Sequence, residues 1–168
     1  MTHVLGVDPG LSGGVAILGA KGSLLDAQPF PTKTVNRKTR IDGVALAAMI
    51  DLMCPRGRTL AFVENVSSRP RQAGQFQFGV NTGLVHGILY ALGVSFELVA
   101  PAVWKSIYGI KRSEDETKSD MKTEARRVAS AVFPLQAEKF KRVRDDGVAE
   151  AALIALYGLK KTRMEFQS

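Results

Sequence analysis

The chain has 168 residues, 23 Lys+Arg against 16 Asp+Glu, a formal net charge of +7 and one cysteine, Cys54. The length suits a single domain over residues 1–168, with a core large enough to need no disulfide or structural metal, and the lone cysteine excludes a disulfide framework and a cysteine-built zinc site. No apolar run approaches the ~18 residues of a membrane span, and Met1-Thr2-His3-Val4-Leu5 enters a strand-like run without the charged and apolar regions of a secretory signal. The expectation is a basic protein of the cytoplasm, or of an organellar stroma or matrix, with no membrane partner. Its excess charge suits a polyanion such as nucleic acid.

His3–Val7 predicts a short buried strand, stopped by Asp8-Pro9-Gly10. Val15–Leu18 and Leu24–Phe30 follow, joined through Gly19-Ala20-Lys21-Gly22, and complete an antiparallel meander. Residues 31–40 carry Lys33, Arg37, Lys38 and Arg40 and read as a surface loop. Apolar residues at 41, 44, 46, 47, 50 and 53 predict a helix over Ile41–Met53, with Asp42 at its positive end. Thr59–Val63 predicts a fourth strand, and Glu64 ends it.

A polar loop over 65–75 carries Arg69 and Arg71. Phe76–Leu92 predicts a helix in which Gly79, Gly83 and Gly87 recur every four residues. Each glycine costs roughly 1 kcal/mol inside a helix, so a face of them suits close approach of another backbone. Ser95–Val99 is a fifth strand. A charged loop over 111–120 holds Lys111 and Arg112, and Met121–Phe133 predicts a helix ended by Pro134. A basic stretch (Lys139, Lys141, Arg142, Arg144) leads to a last helix over 145–161. The fold class is therefore α/β: a mixed five-stranded sheet with helices on both faces.

A few acids stand where a carboxylate is expensive. Asp8 and Glu64 each follow an apolar strand, while Asp145, Asp146 and Glu150 open a helix otherwise filled by Val148, Ala149, Ala151, Ala152, Leu153 and Ile154. Asp146 and Glu150, four apart, project from one helix face. Each acid alone has a plainer explanation: Asp8 as a turn residue, Glu64 as a strand-end acid, Asp145 and Asp146 as answers to the helix dipole, Glu150 as a half-exposed surface group. Together they fall on one rim. If the first and fourth strands are neighbours, the acids converge and repel one another unless cations lie between them. Oxygen donors without a His/Cys set favour Mg²⁺, with Mn²⁺ as substitute. Two such ions make a clamp for in-line displacement at phosphorus.

Leu5-Gly-Val-Asp-Pro-Gly10, Val63-Glu64, Pro101-Ala-Val-Trp-Lys105, Lys122, and Asp145-Asp-Gly-Val-Ala-Glu-Ala-Ala-Leu-Ile-Ala155 resemble, in this order, the RuvC-type Holliday-junction resolvases of the ribonuclease H-like superfamily. The resemblance spans nearly the whole chain and is closest to the plant chloroplast resolvase branch and its bacterial and phage relatives. It implies a ribonuclease H-like fold and a Mg²⁺-dependent, homodimeric endonuclease that resolves four-way DNA by paired nicks, working beside branch-migration or recombination machinery. It implies Asp8, Glu64, Asp146 and Glu150 as ligands of two metal ions, and Lys105 and Lys122 near the scissile phosphate. Many relatives space the last two acids three apart, where this chain has Gly147. Asp146 is therefore the choice for that ligand and Asp145 the fallback.

By the same resemblance Arg69 and Arg71 enter the junction centre. Phe76 and Phe78 either stack on bases or belong to the core. Lys33, Arg37, Lys38, Lys111, Arg112, Lys141 and Arg142 would meet phosphates or merely solvate a face. Trp104 reads as a packing anchor. Two alternatives remain open: a ribonuclease H-like nuclease for other branched or RNA-containing substrates, and a non-catalytic junction-binding protein. A sugar-kinase-like ATPase built on Asp8-Pro9-Gly10 would need a longer, two-lobed chain.

Overall fold

A computed structural model describes residues 3–65, 74–110 and 118–165. The elements run β1 (His3–Asp8), β2 (Gly14–Gly19), β3 (Leu24–Pro29), β4 (Thr32–Val35), β5 (Lys38–Ile41), α1 (Gly43–Met53), β6 (Thr59–Glu64), α2 (Gln75–Ala91), β7 (Ser95–Val99), α3 (Pro101–Ile107), α4 (Lys118–Val132), short 3-10 turns over Pro134–Phe140 and Val143–Asp145, and α5 (Asp146–Glu165). Among the described residues no helix is long and apolar enough to cross a membrane.

The main sheet has five strands in the order β3-β2-β1-β6-β7. β1 pairs antiparallel with β2 and parallel with β6, and β6 pairs parallel with β7. The expected mixed α/β sheet is therefore present, and both of its faces are covered. Val4, Ala16, Leu18 and Phe62 pack with α3, α4 and α5. Leu5, Val7, Val15, Ala61 and Val63 pack with α1 and α2. Alternate side chains of a strand point to opposite faces, so the parity of β1 assigns Val4, Gly6 and Asp8 to the α5 side. The parity of β6 does the same for Phe62 and Glu64. The register Gly6↔Phe62, Val7↔Val63 then brings the C-terminal ends of the two strands level.

α5 lies against this face at a distance that only small residues permit. A Cβ on Gly6 would fall 2.0 Å from the Ala151 carbonyl oxygen, and one on Gly158 2.1 Å from the Phe62 ring. Ala149, Ala151, Ala152 and Ala155 are fully buried at this interface. The alanine-rich composition of the last helix is thus a requirement of close helix-on-sheet packing.

The structure departs from the sequence expectation in four places. Residues 31–40 are not a loop: β4 and β5 form an antiparallel hairpin, Thr32↔Ile41 to Val35↔Lys38. Asn36 and Arg37 turn it with φ of 49° and 61°, the two-residue turn that matches the twist of paired strands. The helix expected from Ile41 begins at Gly43, because Ile41 closes the hairpin and Asp42 caps the helix by accepting from Val44 N and Ala45 N. The seven-residue α3 was not foreseen, and the segment between α4 and α5 is 3-10 turns rather than loop.

Candidate metal centre

Asp8, Glu64 and Glu150 come together at the C-terminal ends of β1 and β6, beneath the first turns of α5. Each offers a carboxylate oxygen within 4.8 Å of the others. Glu64 and Glu150 are buried and Asp8 is half-buried. What holds Glu150 over the two strands is the start of α5. Gly147 bridges to Gly13 in the turn after β1, and a Cβ on Gly147 would meet the Ser12 carbonyl oxygen at 2.2 Å. Position 147 therefore has no room for any side chain, an acid included.

Three desolvated carboxylates in one place oppose one another's ionisation. Burial, then Glu150, pushes the Asp8 carboxyl up to about 6, against the Gly10 N–H that donates to its Oδ1 at 3.0 Å. Burial, then Glu150 and Asp8, pushes Glu64 up to about 7. Two groups of α3 answer this charge. The Trp104 indole N–H donates to Glu64 Oε1 at 3.0 Å, and Lys105 Nζ lies 2.8 Å from Glu150 Oε1. Burial alone would lower the Lys105 ammonium, but Glu150, Glu64 and Asp8 outweigh it and hold it above its ordinary value.

A crowded set made only of carboxylate oxygens, with Asp8 and Glu64 raised in affinity for protons, fits a hard divalent cation. Among the described residues it is the one such cluster of three or more acidic, His or Cys groups.

Asp146, the fourth expected ligand, lies outside this group of three. It sits a turn earlier on α5, with Arg126 Nε at 2.8 Å from its Oδ1 and Lys122 Nζ at 3.5 Å from its Oδ2. The Arg126 contact is a close ion pair without hydrogen-bond alignment: Nε and Oδ1 are both buried with no hydrogen-bond partner. Asp145, the fallback ligand, is turned away. Its Oδ2 accepts from the backbone N and the Nε of Arg142, closing a capping box at the 3-10 turn. Its proximity in sequence to Asp146 is not proximity to the site.

Arg126 was missed by the sequence. It bridges α4, the 3-10 segment through the Lys141 carbonyl oxygen, and Asp146. An arginine on an amphipathic helix carries no signal of that role. Trp104 is fully buried, as a packing anchor should be, yet its N–H reaches into the centre.

The expected nucleic-acid contacts divide. Arg69, Arg71, Lys111 and Arg112 lie outside the described residues. Lys33, Arg37 and Lys38 are exposed on the hairpin, with Lys33 3.3 Å from Asp42. Lys141 pairs with Glu138 and Arg142 with Asp145, both cations keeping more than half of their side-chain exposure. Lys139 is instead tied to Asp26 and the Ala27 carbonyl oxygen. Phe76 is 85% exposed, so it is no core residue, whereas Phe78 is half-buried. The glycine face of α2 does not pack on its own sheet. A Cβ at Gly79, Gly83 or Gly87 would meet nothing within 4 Å, and Phe76, Val80 and Tyr90 are exposed on the same helix.

No family model matches the sequence, and no curated protein sequence matches it. Solved structures do. A Thermus thermophilus RuvC in complex with a Holliday junction substrate is similar with a TM-score of 0.67 and 19% identity over 96% of each chain. A second Thermus thermophilus RuvC structure is similar with a TM-score of 0.62 and 19% identity, over 97% of this chain and 96% of that one. The fold is thus the ribonuclease H-like arrangement of RuvC, from end to end.

Proposed function

We propose that the chain is a metal-dependent endonuclease that resolves four-way DNA junctions by paired, symmetric nicks. The observation that carries this reading is the convergence of Asp8, Glu64 and Glu150 within 4.8 Å on a fold shared with a RuvC whose own structure holds a Holliday junction substrate. Asp8, Glu64 and Glu150 would hold one divalent ion, and Asp146 would complete the set for a second. Bound Mg²⁺, or Mn²⁺ in its place, supplies an acidified water and stabilises charge developing at phosphorus. The net step is hydrolysis: water oxygen bonds to phosphorus, the bond to the 3′ oxygen breaks, and a proton returns to that oxygen. The ends are 5′-phosphate and 3′-hydroxyl, which a ligase can seal.

The chain's own groups bind and orient. Lys105, paired with Glu150, and Lys122, paired with Asp146, would exchange those partners for phosphate oxygens. The hairpin cations Lys33, Arg37 and Lys38, with Lys141, Arg142, Lys111 and Arg112, would follow the DNA backbone, and Arg69 and Arg71 would enter the junction centre as the family resemblance implies. Phe76, exposed at the start of α2, suits base stacking better than half-buried Phe78. The open glycine face of α2 suits a homodimer, whose two-fold axis matches the two equivalent strands of a junction. Recombination and repair, in company with branch-migration machinery, are the processes such an activity serves.

The test is cleavage of a synthetic four-way junction with Mg²⁺ by wild type and by Asp8→Asn. Paired nicks from wild type and none from the variant are expected. Equal cutting by both overturns the proposal.

A further inference from the structure

Trp104 is fully buried, and it is the protein's only tryptophan. A purely apolar anchor would not need a donor there. An indole brings one N–H and no acceptor, and burying it demands a partner. That partner is Glu64 Oε1 at 3.0 Å. Glu64 is itself 5% exposed, and among the described residues the indole is its one hydrogen-bond donor. A glutamate reaches its carboxylate through three rotatable bonds, and the repulsion of Asp8 and Glu150 drives it away from them. Something must hold it against that force before any cation arrives. The next residue, Lys105, does the same for the facing acid: its ammonium lies 2.8 Å from Glu150 and 4.9 Å from the Trp104 ring centre. One step of the short helix α3 thus reaches both β6 and α5.

The geometry points to Trp104 as a positioning residue, whose indole N–H holds the Glu64 carboxylate turned toward Asp8 and Glu150, occupying one oxygen and leaving the other for a divalent cation. The inference rests on the metal-centre reading above. It assigns the tryptophan a part in metal affinity and turnover that packing alone would not give it. α3 carries the chemistry because its seven residues, started by Pro101 and anchored by this one side chain, place two consecutive residues against two ligands.

The substitution Trp104→Phe keeps an aromatic ring in the core and removes the donor. Mn²⁺ binding by calorimetry, far-UV circular dichroism and junction cleavage are compared with wild type. Mn²⁺ affinity is expected to fall about 10-fold or more, as for other residues that orient a metal ligand. kcat falls with it, KM for the junction does not change, and added Mn²⁺ restores part of the rate. A folded Trp104→Phe with wild-type Mn²⁺ affinity and kcat overturns the proposal. If Trp104→Phe does not fold, the wild-type fluorescence decides, because all tryptophan emission comes from this site. Mg²⁺ should change it saturably, with the half-saturation found by calorimetry; emission unmoved at saturating Mg²⁺ overturns the proposal. Asp8→Asn separates the two levels. Loss of Mn²⁺ binding there upholds the metal centre whatever Trp104 does, whereas binding equal to wild type removes the centre and the inference with it.

Discussion

Gly13 and Gly147 bridge the turn after β1 to the first turn of α5, and neither position has space for a side chain. This contact, more than any pairing of charged groups, sets where Glu150 stands relative to Asp8. Gly147→Ala would drive a methyl into the Ser12 carbonyl oxygen, 2.2 Å away. Overpacking of this kind costs about 1–3 kcal/mol. The variant is expected to lose that much stability in urea and to cut junctions more slowly even where it is fully folded. Full stability with full activity would show that α5 can lift without moving the carboxylates.

The raised carboxyls of Asp8 and Glu64 set a pH dependence for the metal-free protein. Both take up protons more readily folded, at about 6 and about 7, than at their ordinary values of 3.8 and 4.5. The folded state therefore holds protons that the unfolded chain has released, and stability falls as pH rises through that window. Melting without metal should show a lower Tm near neutrality than near pH ~4.5, and the Asp8→Asn/Glu64→Gln double variant should flatten the slope. Mg²⁺ should raise Tm most at the upper end, where the carboxylates are ionised. A metal-free Tm that climbs from acid to neutral would contradict this.

The exposed hairpin sets a salt dependence. Each phosphate contact contributes roughly 0.9 to the slope of log K against log salt. Replacing Lys33, Arg37 and Lys38 by alanine should lower the slope for junction binding by up to ~3 and weaken binding at low salt. An unaltered slope, measured by fluorescence anisotropy across a salt series, would exclude β4 and β5 from the DNA contact.

The α2 face separates the folding of one chain from association. A Cβ at Gly83 would meet nothing within 4 Å, so in Gly83→Leu the monomer should keep or gain stability, since glycine inside a helix is unfavourable by about 1 kcal/mol. If two copies meet through this face, the leucine holds their backbones apart. Sedimentation should then show a shift toward monomer without loss of helix content. A variant that remains as associated as wild type would place the dimer elsewhere.

The strands of the main sheet and four of the helices were legible because their burial imposes a period. Val4, Leu5 and Val7 are apolar on both sides of β1, and Asp8 stands out at its end for that reason. β4 was illegible because all four of its residues are exposed; a strand that covers no core has no apolar alternation to read. α3 was too short to show a helical period and buries only Trp104. The roles of Asp145 and Asp146 were not readable because their partners decide them. Arg142 is near in sequence but visible only through a capping geometry, and Arg126 comes from another helix. Asp8, Glu64 and Glu150 could be nominated from sequence since each is a charge beside an apolar run, but their mutual distance depends on strand register and on glycine contacts.

The interface that carries Glu150 is built from Gly6, Gly147, Gly158 and the buried alanines of α5. Such residues have almost no side-chain rotamers to lose on folding, where leucine would forfeit up to ~1 kcal/mol and methionine up to ~2 kcal/mol. Nor have they rotamers to regain on warming. At these contacts the spacing of the carboxylates is therefore inherited from backbone lying on backbone rather than from the conformers of side chains.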